Sequence, residues 1–505
     1  MHAPYTLLPL AALAAFQAQA QERPNILYIM CDDMGYGDLG CYGQQLIATP
    51  HIDRLASEGM RFTQAYAGSP VSAPSRACFM TGQHTGHTHV RGNKEYWRGK
   101  QQANLYGNNT DYPEGVIGQE PYAKDHKILP EILRQNGYTT GMFGKWAGGY
   151  EGSHSVPETR GIDEFYGYIC QFQAHSYYTN FLNKFSRSAG DTRTRRVVLE
   201  ENIKFGMPGS ADYLNRPQYT ADLIHQEAMA WLDKQEKGKP FLGIFTYTLP
   251  HAELAQPNDS ILQAYAGKFC EEKSFAGNAP SWYHKVDNAH AQFAAMITRL
   301  DIQVGQIMEK LKAKGLDDNT IVIFTSDNGP HEEGGADPSF FNRDGLLKGT
   351  KRSTHEGGIR IPFIVRWPGK VRAGMVNDHQ LAFYDLLPTF CDIAQIKDFP
   401  AAYQSHAKDH YDGISFYPTL IGQEKEQKRH EFLYWEFHET DMMGLRMGDW
   451  KLVVKKGQVE LYDLSTDLHE DKNVAKSHPE VVRQMVKILK REHIESPIFK
   501  VTLPQ

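Results

Sequence analysis

Four short apolar runs each end on polar residues, and this recurrence constrains the fold of the chain more than any other feature. Asn25 to Met30 (NILYIM) runs into Asp32 and Asp33, and Tyr138 to Phe143 (YTTGMF) into Lys145. Phe241 to Leu249 (FLGIFTYTL) runs into His251, and Thr320 to Thr325 (TIVIFT) into Asp327 and Asn328. Short runs rich in β-branched and aromatic residues are the pattern of buried strands. Amphipathic helices are predicted before three of them. One starts near Pro130 and stops near Gly137, and another spans about Thr220 to Lys234. The third carries Met296, Leu300, Val304, Ile307 and Leu311 on one face. Helix-then-strand alternation predicts an α/β fold with a mostly parallel sheet sandwiched by helices. Such sheets bind ligands beyond the carboxyl ends of their strands. The polar residues that end the four runs are therefore expected on one edge.

The texture changes after about residue 400. Phe432 to Phe437, Trp450 to Val454 and Val459 to Leu461 read as short antiparallel strands, and Pro479 to Lys490 as an amphipathic helix. The expected division is a catalytic domain over 21–400 and a small sheet-and-helix subdomain over 401–505, preceded by a leader over 1–20. Leu7 to Phe16 is a short apolar stretch, and Ala18-Gln19-Ala20 forms an A-x-A cleavage site before Gln21. That pattern predicts a periplasmic or secreted protein, and no run approaches the ~20 apolar residues of a membrane span. The formal net charge of -6 favours neither nucleic acid nor an anionic membrane. An anionic substrate would need a local cluster of cations. Six cysteines show no CxxC pair and no metal-finger spacing, and their pairing stays open. Polar, Gly- and Pro-rich stretches near 101–125 and 252–282 read as long loops that shape a pocket.

Asp32, Asp33, Asp327 and Asn328 offer only oxygen ligands. Gathered on one edge, the carboxylates repel one another unless a cation sits among them, and hard oxygen donors select calcium or magnesium over zinc. Either pair alone would read as a helix cap or an Asx turn; two pairs after two strands point to a metal. The sharpest local signal is Ser72-Ala73-Pro74-Ser75-Arg76, followed by Thr81-Gly82. As local structure it reads as a helix start, with Ser72 or Ser75 as N-cap and Pro74 in the first turn. A helix N-terminus favours an anion.

On SAPSRACFMTG, Ser72 to Gly82, the chain resembles the sulfatase family of the alkaline-phosphatase superfamily. That family's signature opens with Cys or Ser, continues x-Pro-Ser-Arg and closes with Thr-Gly. The resemblance runs from about Arg23 to beyond Leu461. It implies an alkaline-phosphatase-like fold, conversion of Ser72 to formylglycine, whose hydrate supplies the attacking oxygen, and one Ca2+ that Ser72, so converted, ligates together with Asp32, Asp33, Asp327 and Asn328. A Ser-type signature resembles the branch matured by a radical-SAM enzyme. PNILYIMCDDMGYGDLGCYG looks like the first metal segment, giving Asp32 and Asp33, and TSDNGP looks like the second, giving Asp327 and Asn328. By the same likeness Lys145 of GKW contacts sulfate, His251 lies near the leaving group, and Lys351 is the second sulfate-binding lysine; Arg76 belongs to the signature itself.

One position departs from the pattern. The segment after GKW usually opens with a histidine that bonds a formylglycine hydroxyl, and here Ala147 stands there. His331 is a candidate substitute or a sugar contact, and an exposed loop histidine is an equal reading. The expected substrate is a sulfated carbohydrate, with galactose or N-acetylgalactosamine sulfate preferred by general similarity to gut-bacterial sulfatases. Trp97, Tyr106, Tyr177 and Tyr178 are candidates to stack on sugar rings. His89 and Arg91, in HTGHTHVRGN, are candidates to face substrate. Two alternatives stay open: a phosphatase or phosphodiesterase of the same superfamily, and a sulfated-glycan-binding protein that has lost catalysis.

Overall fold

Alternate residues of the first strand feed two different cores. The computed structural model describes residues 23–97, 117–199, 218–270, 274–277, 283–343, 345–404 and 410–505. Strand β1 (Asn25–Cys31) is buried along its whole length. Its Leu27, Ile29 and Cys31 pack into one cluster, and its Ile26, Tyr28 and Met30 into another. A strand covered on both faces belongs to the middle layer of a three-layer sandwich.

The other predicted strands form beside it: β2 (Thr139–Lys145), β3 (Phe241–Thr246) and β4 (Thr320–Ser326). β4, β1, β3 and β2 lie side by side and parallel, and Glu164–Tyr168 continues the parallel run beyond β2. Antiparallel strands flank this centre, Phe363–Arg366 on the β4 side and Phe181–Ser186 on the other, within a sheet of ten. Helices α1 (Ser72–Thr81) and α2 (Leu129–Gln135) cover one face, while α3 (Thr220–Asp233) and α4 (Ala289–Ala313) cover the other. The fold is therefore the expected mixed, mostly parallel α/β sandwich.

A separate four-stranded antiparallel sheet follows: β5 (Leu433–Phe437), β6 (Met442–Met447), β7 (Trp450–Lys455) and β8 (Gln458–Asp463). Helix α5 (Pro479–Glu492) packs Met485, Ile488 and Leu489 against it. The sequence pattern predicts three of these strands; β6 is the additional one.

The leader stretch Leu7 to Phe16, its cleavage site and Tyr106 lie outside the described residues, as does most of the loop at 101–125. Among the described residues no helix is long and apolar enough to cross a membrane. All six cysteines carry free thiols. Tyr177 and Tyr178 are core residues rather than sugar platforms. The Tyr177 hydroxyl bonds the carbonyls of Thr248 and His251, at 2.8 and 2.9 Å, and so braces the turn after β3.

Candidate active site

The carboxyl ends of the four central strands bring their terminal residues together, as topology requires. Asp32 and Asp33 leave β1, Lys145 ends β2, His251 follows β3, and Asp327 and Asn328 follow β4. Asp33 adopts a left-handed backbone, φ 61°, a conformation that Asp tolerates better than most residues. Gly144, just before Lys145, has φ 125°, and a Cβ there would lie 1.9 Å from the Thr246 carbonyl oxygen. Only glycine lets β2 approach β3 so closely at this point.

Helix α1 points its first turn into this gathering. Val71 is the N-cap and makes no side-chain cap, so the expectation of a serine cap is corrected. Ser72 is instead the first helical residue and is buried. The hydroxyl of Ser75 is diverted to tertiary bonds: it donates to the Asp327 carbonyl at 2.6 Å and accepts from Gly68 N–H at 3.1 Å. The Ser72 hydroxyl donates to Asp32 Oδ1 at 2.9 Å and accepts from Lys145 Nζ at 3.1 Å. Lys145 Nζ is also 2.6 Å from Asp32 Oδ2. Arg76 bonds Asp327 Oδ2 through Nε and Nη2, at 3.1 and 2.9 Å, and reaches Asp32 Oδ2 at 3.2 Å. Lys351 Nζ donates to Asp33 Oδ2 at 2.8 Å, to Glu333 Oε2 at 3.1 Å and to His251 Nε2 at 3.1 Å.

Charge sorts the carboxylates. Burial pushes Asp32 up, but Lys145, His251 and Arg76 outweigh it and hold the carboxyl far below its ordinary range. Asp33 follows the same balance, with Lys351 as its largest counterweight. Asp327 goes the other way: burial and the neighbouring Asp32 raise it although Arg76 opposes them. A raised carboxyl beside two ionised ones marks an excess of negative charge that a cation would relieve. Asn328 makes the same point geometrically. Its Nδ2 donates to Asp33 Oδ1 at 2.7 Å, while its Oδ1 is buried with no hydrogen-bond partner. An orphaned carbonyl oxygen among three carboxylates is the donor chemistry of a hard divalent cation, so these residues fit one.

His251 is shifted below the ordinary imidazole range. Burial and Lys351 lower it, and its Nδ1 faces the Ala252 carbonyl while Nε2 accepts from Lys351. His331 stacks 5.9 Å from His251 but has no nitrogen to spare. Its Nε2 donates to the Pro250 carbonyl at 3.0 Å and its Nδ1 accepts from Glu333 N–H at 3.2 Å. Burial and Arg343 hold it down at about 3. It is buried, which excludes an exposed loop histidine, and both nitrogens are committed to backbone, which removes it as a proton acceptor. Ala147 is buried in a left-handed conformation, φ 56°.

A cleft of about 430 Å³ opens onto Ser72, Lys145, His251 and Lys351, a size suited to a small polar ligand. His89 and Arg91 do not line it. His89 pairs with Glu120 at 2.9 Å, and Arg91 is buried against Glu436 at 2.8 Å. The walls come instead from residues that the motifs do not single out, among them His175, Tyr283, Glu333, Arg352, Glu95 and Glu439. His175 and Tyr283 stack with centroids 5.8 Å apart, and the Tyr283 hydroxyl joins His175 Nδ1 to Glu333 at 2.9 and 3.1 Å. The sequence signals for these are adjacency alone: Glu333 lies two residues beyond His331 in NGPHEE, and Arg352 directly follows Lys351.

A family model described as sulfatase matches residues 24–396, and one described as the C-terminal part of N-sulphoglucosamine sulphohydrolase matches residues 349–495. An N-acetylgalactosamine-6-O-sulfatase of Bacteroides thetaiotaomicron is 30% identical, over 93% of this chain and 93% of that protein. An N-acetylgalactosamine-6-sulfatase of Rattus norvegicus is 30% identical over 83% of this chain and 74% of its own. Among solved structures, Ps i-CgsB in complex with k-i-k-neocarrahexaose superposes with a TM-score of 0.69 at 25% identity, covering 96% of this chain and 95% of that one.

Proposed function

The chain belongs to the sulfatase family and is a sulfuric ester hydrolase, and from that premise we propose that it desulfates a carbohydrate, with N-acetylgalactosamine 6-sulfate or galactose 6-sulfate as first candidates. The observation that carries this reading is the buried Ser72 hydroxyl, held between Asp32 and Lys145 at the mouth of the cleft. The sugar preference rests on the two N-acetylgalactosamine-6-sulfatase relatives and on a cleft of monosaccharide scale.

In this proposal Ser72 is oxidised to formylglycine by a radical-SAM-type maturase, and its hydrate supplies the attacking oxygen. Asp32, Asp33, Asp327 and the Asn328 carbonyl would hold one Ca2+, which would supply a positive charge against the substrate anion. The chain's own cations do the rest of the binding. Lys145 and Lys351, which line the cleft, face the sulfate and stabilise charge that builds on its oxygens, while Arg76, bonded to Asp327 and Asp32, fixes the carboxylates beside residue 72. Asp327, at the end of β4 and oriented by its bonds to Arg76, is the candidate to accept the proton of the attacking hydroxyl. Burial and Lys351 lower His251 without substrate. An anion seated between it and Lys351 favours the imidazolium, whose Nε2 then delivers a proton to the departing alkoxide. A phosphate ester would meet the same cations, so reaction rate decides between the two esters.

The test is a panel of defined sulfated monosaccharides with matched aryl sulfate and aryl phosphate, assayed on protein matured with a radical-SAM sulfatase maturase. Desulfation of a 6-sulfated galacto-sugar well above aryl phosphate turnover is expected. Phosphate turnover equal to or above sulfate turnover would overturn the reading. Peptide mass spectrometry of that protein should show Ser72 lighter by two hydrogens.

A further inference from the structure

The stretch after α1 gathers a second group of metal-ligating side chains away from the cleft. The rings of His84 and His87 stack with centroids 4.1 Å apart. Both present Nε2 to one oxygen: each lies 3.6 Å from Glu492 Oε2. His84 Nε2 is also 3.8 Å from Asp412 Oδ2. These separations are longer than hydrogen bonds. They come close to the ~3.3 Å edge of a tetrahedron whose bonds to zinc are about 2.0–2.1 Å.

The second sphere fits as well. His87 Nδ1 donates to Asp412 Oδ1 at 2.8 Å. A carboxylate on the far nitrogen orients a metal-bound imidazole and leaves Nε2 its lone pair. His84 is 3% exposed at its side chain, and Asp412 and Glu492 are 13% and 16% exposed, so an ion here would be largely shielded from solvent.

We propose that His84 Nε2, His87 Nε2 and Glu492 Oε2, with Asp412 supporting His87, form a zinc site that the catalytic reading does not use. Two imidazoles with a carboxylate favour zinc over calcium, which takes all-oxygen ligands. Ligation through His84 Nε2 places the ring proton on Nδ1, so the 3.1 Å contact from Gly86 N–H opens when the ion binds. Glu492 is the last residue of α5, so the ion would tie the C-terminal helix to the loop that follows the nucleophile helix.

The test uses the full chain, stripped with a chelator, reloaded with calcium and titrated with zinc. Elemental analysis after gel filtration should find one zinc per chain, and zinc should raise the melting temperature. H87Q and E492Q should lose both effects, whereas D327N, in the catalytic group, should keep them. D412N should weaken zinc binding about 10–100-fold. Wild-type protein without stoichiometric zinc, or zinc retained by both H87Q and E492Q, would overturn the proposal. If H87Q does not fold by circular dichroism, E492Q decides, because its side chain sits at the end of a surface helix. None of these readouts involves sulfate release, so their failure leaves the sulfatase reading intact.

Discussion

Asp32, Arg76 and Lys145 around Ser72 are buried to the same degree as Glu356, Lys451 and Arg446 at the seam with the C-terminal sheet, yet the two groups differ in what they leave unbonded. At the seam both oxygens of Glu356 are taken: Oε1 by Lys451 Nζ at 2.9 Å and Oε2 by the Tyr66 hydroxyl at 2.7 Å. Its backbone N–H donates to Glu470 at 2.8 Å. Around Ser72 the hydroxyl and Lys145 face a cleft, and Asn328 Oδ1 has no partner. Closed charge holds architecture, and open charge awaits a ligand. One stretch of chain joins the two groups, since Lys351 serves the cleft and Glu356 the seam. The seam therefore helps to position a cleft lysine: the Thr440 hydroxyl donates to the Arg352 carbonyl at 3.0 Å, and Thr354 donates to the Met443 carbonyl at 3.2 Å.

The strongest way to break this contrast is to remove the proposed nucleophile. Ser72→Ala should cut turnover by about 10³-fold or more, as loss of an attacking group does, and leave the melting temperature close to wild type. Residual turnover within tenfold of wild type would take Ser72 out of the reaction. At the seam the signs reverse. Lys451→Met leaves Glu356 buried without its main counter-ion, which costs about 3–5 kcal/mol of stability. Turnover per folded molecule should fall only several-fold, through looser placement of Lys351. Denaturant unfolding and active-site titration together read both quantities. A milder variant sharpens the boundary between the groups. His331→Gln should reduce kcat by less than tenfold, because both ring nitrogens serve backbone groups and none faces the cleft. A loss as deep as that of Ser72→Ala would restore His331 as a proton acceptor.

The same contrast explains what was legible in the sequence. Residues that end parallel strands must converge, so Asp32, Lys145, His251 and Asp327 could be assembled from period and topology alone. Ser72 needed the signature as well, because a helix start by itself only favours an anion. Lys351 was reached through resemblance, and the cleft does contain it. The walls were not legible. His175 closes a single 3-10 turn and Tyr283 and Glu439 stand on loops, all too short or irregular for periodicity to encode which way a side chain points. Tyr177, Tyr178 and Arg91 carry the residue types of a sugar site but spend them on packing and on a buried ion pair. Strand β6 was hidden for a related reason: MMGLRM lacks β-branched residues and contains Gly444.

Glu95 offers the finest test, because it lies at the cleft and titrates where the seam does not. Burial pushes its carboxyl up to about 7, against a 3.0 Å bond donated by Gln171 Nε2. A raised carboxyl is neutral below that value and ionised above it. The folded state thus favours the proton, and the associated stability is present in the ordinary carboxyl range and is lost as pH rises through about 7. The neutral form also suits the substrate: an anion entering the cleft meets one carboxylate fewer. KM for a sulfated sugar should accordingly rise several-fold on the alkaline side of neutrality, with little change in kcat from this group. Glu95→Gln should remove that limb and leave KM flat, since glutamine keeps a bond to Gln171 without the charge. If wild type and Glu95→Gln show the same KM profile across neutrality, Glu95 does not face the substrate anion, and this part of the wall is closed in the same sense as the seam.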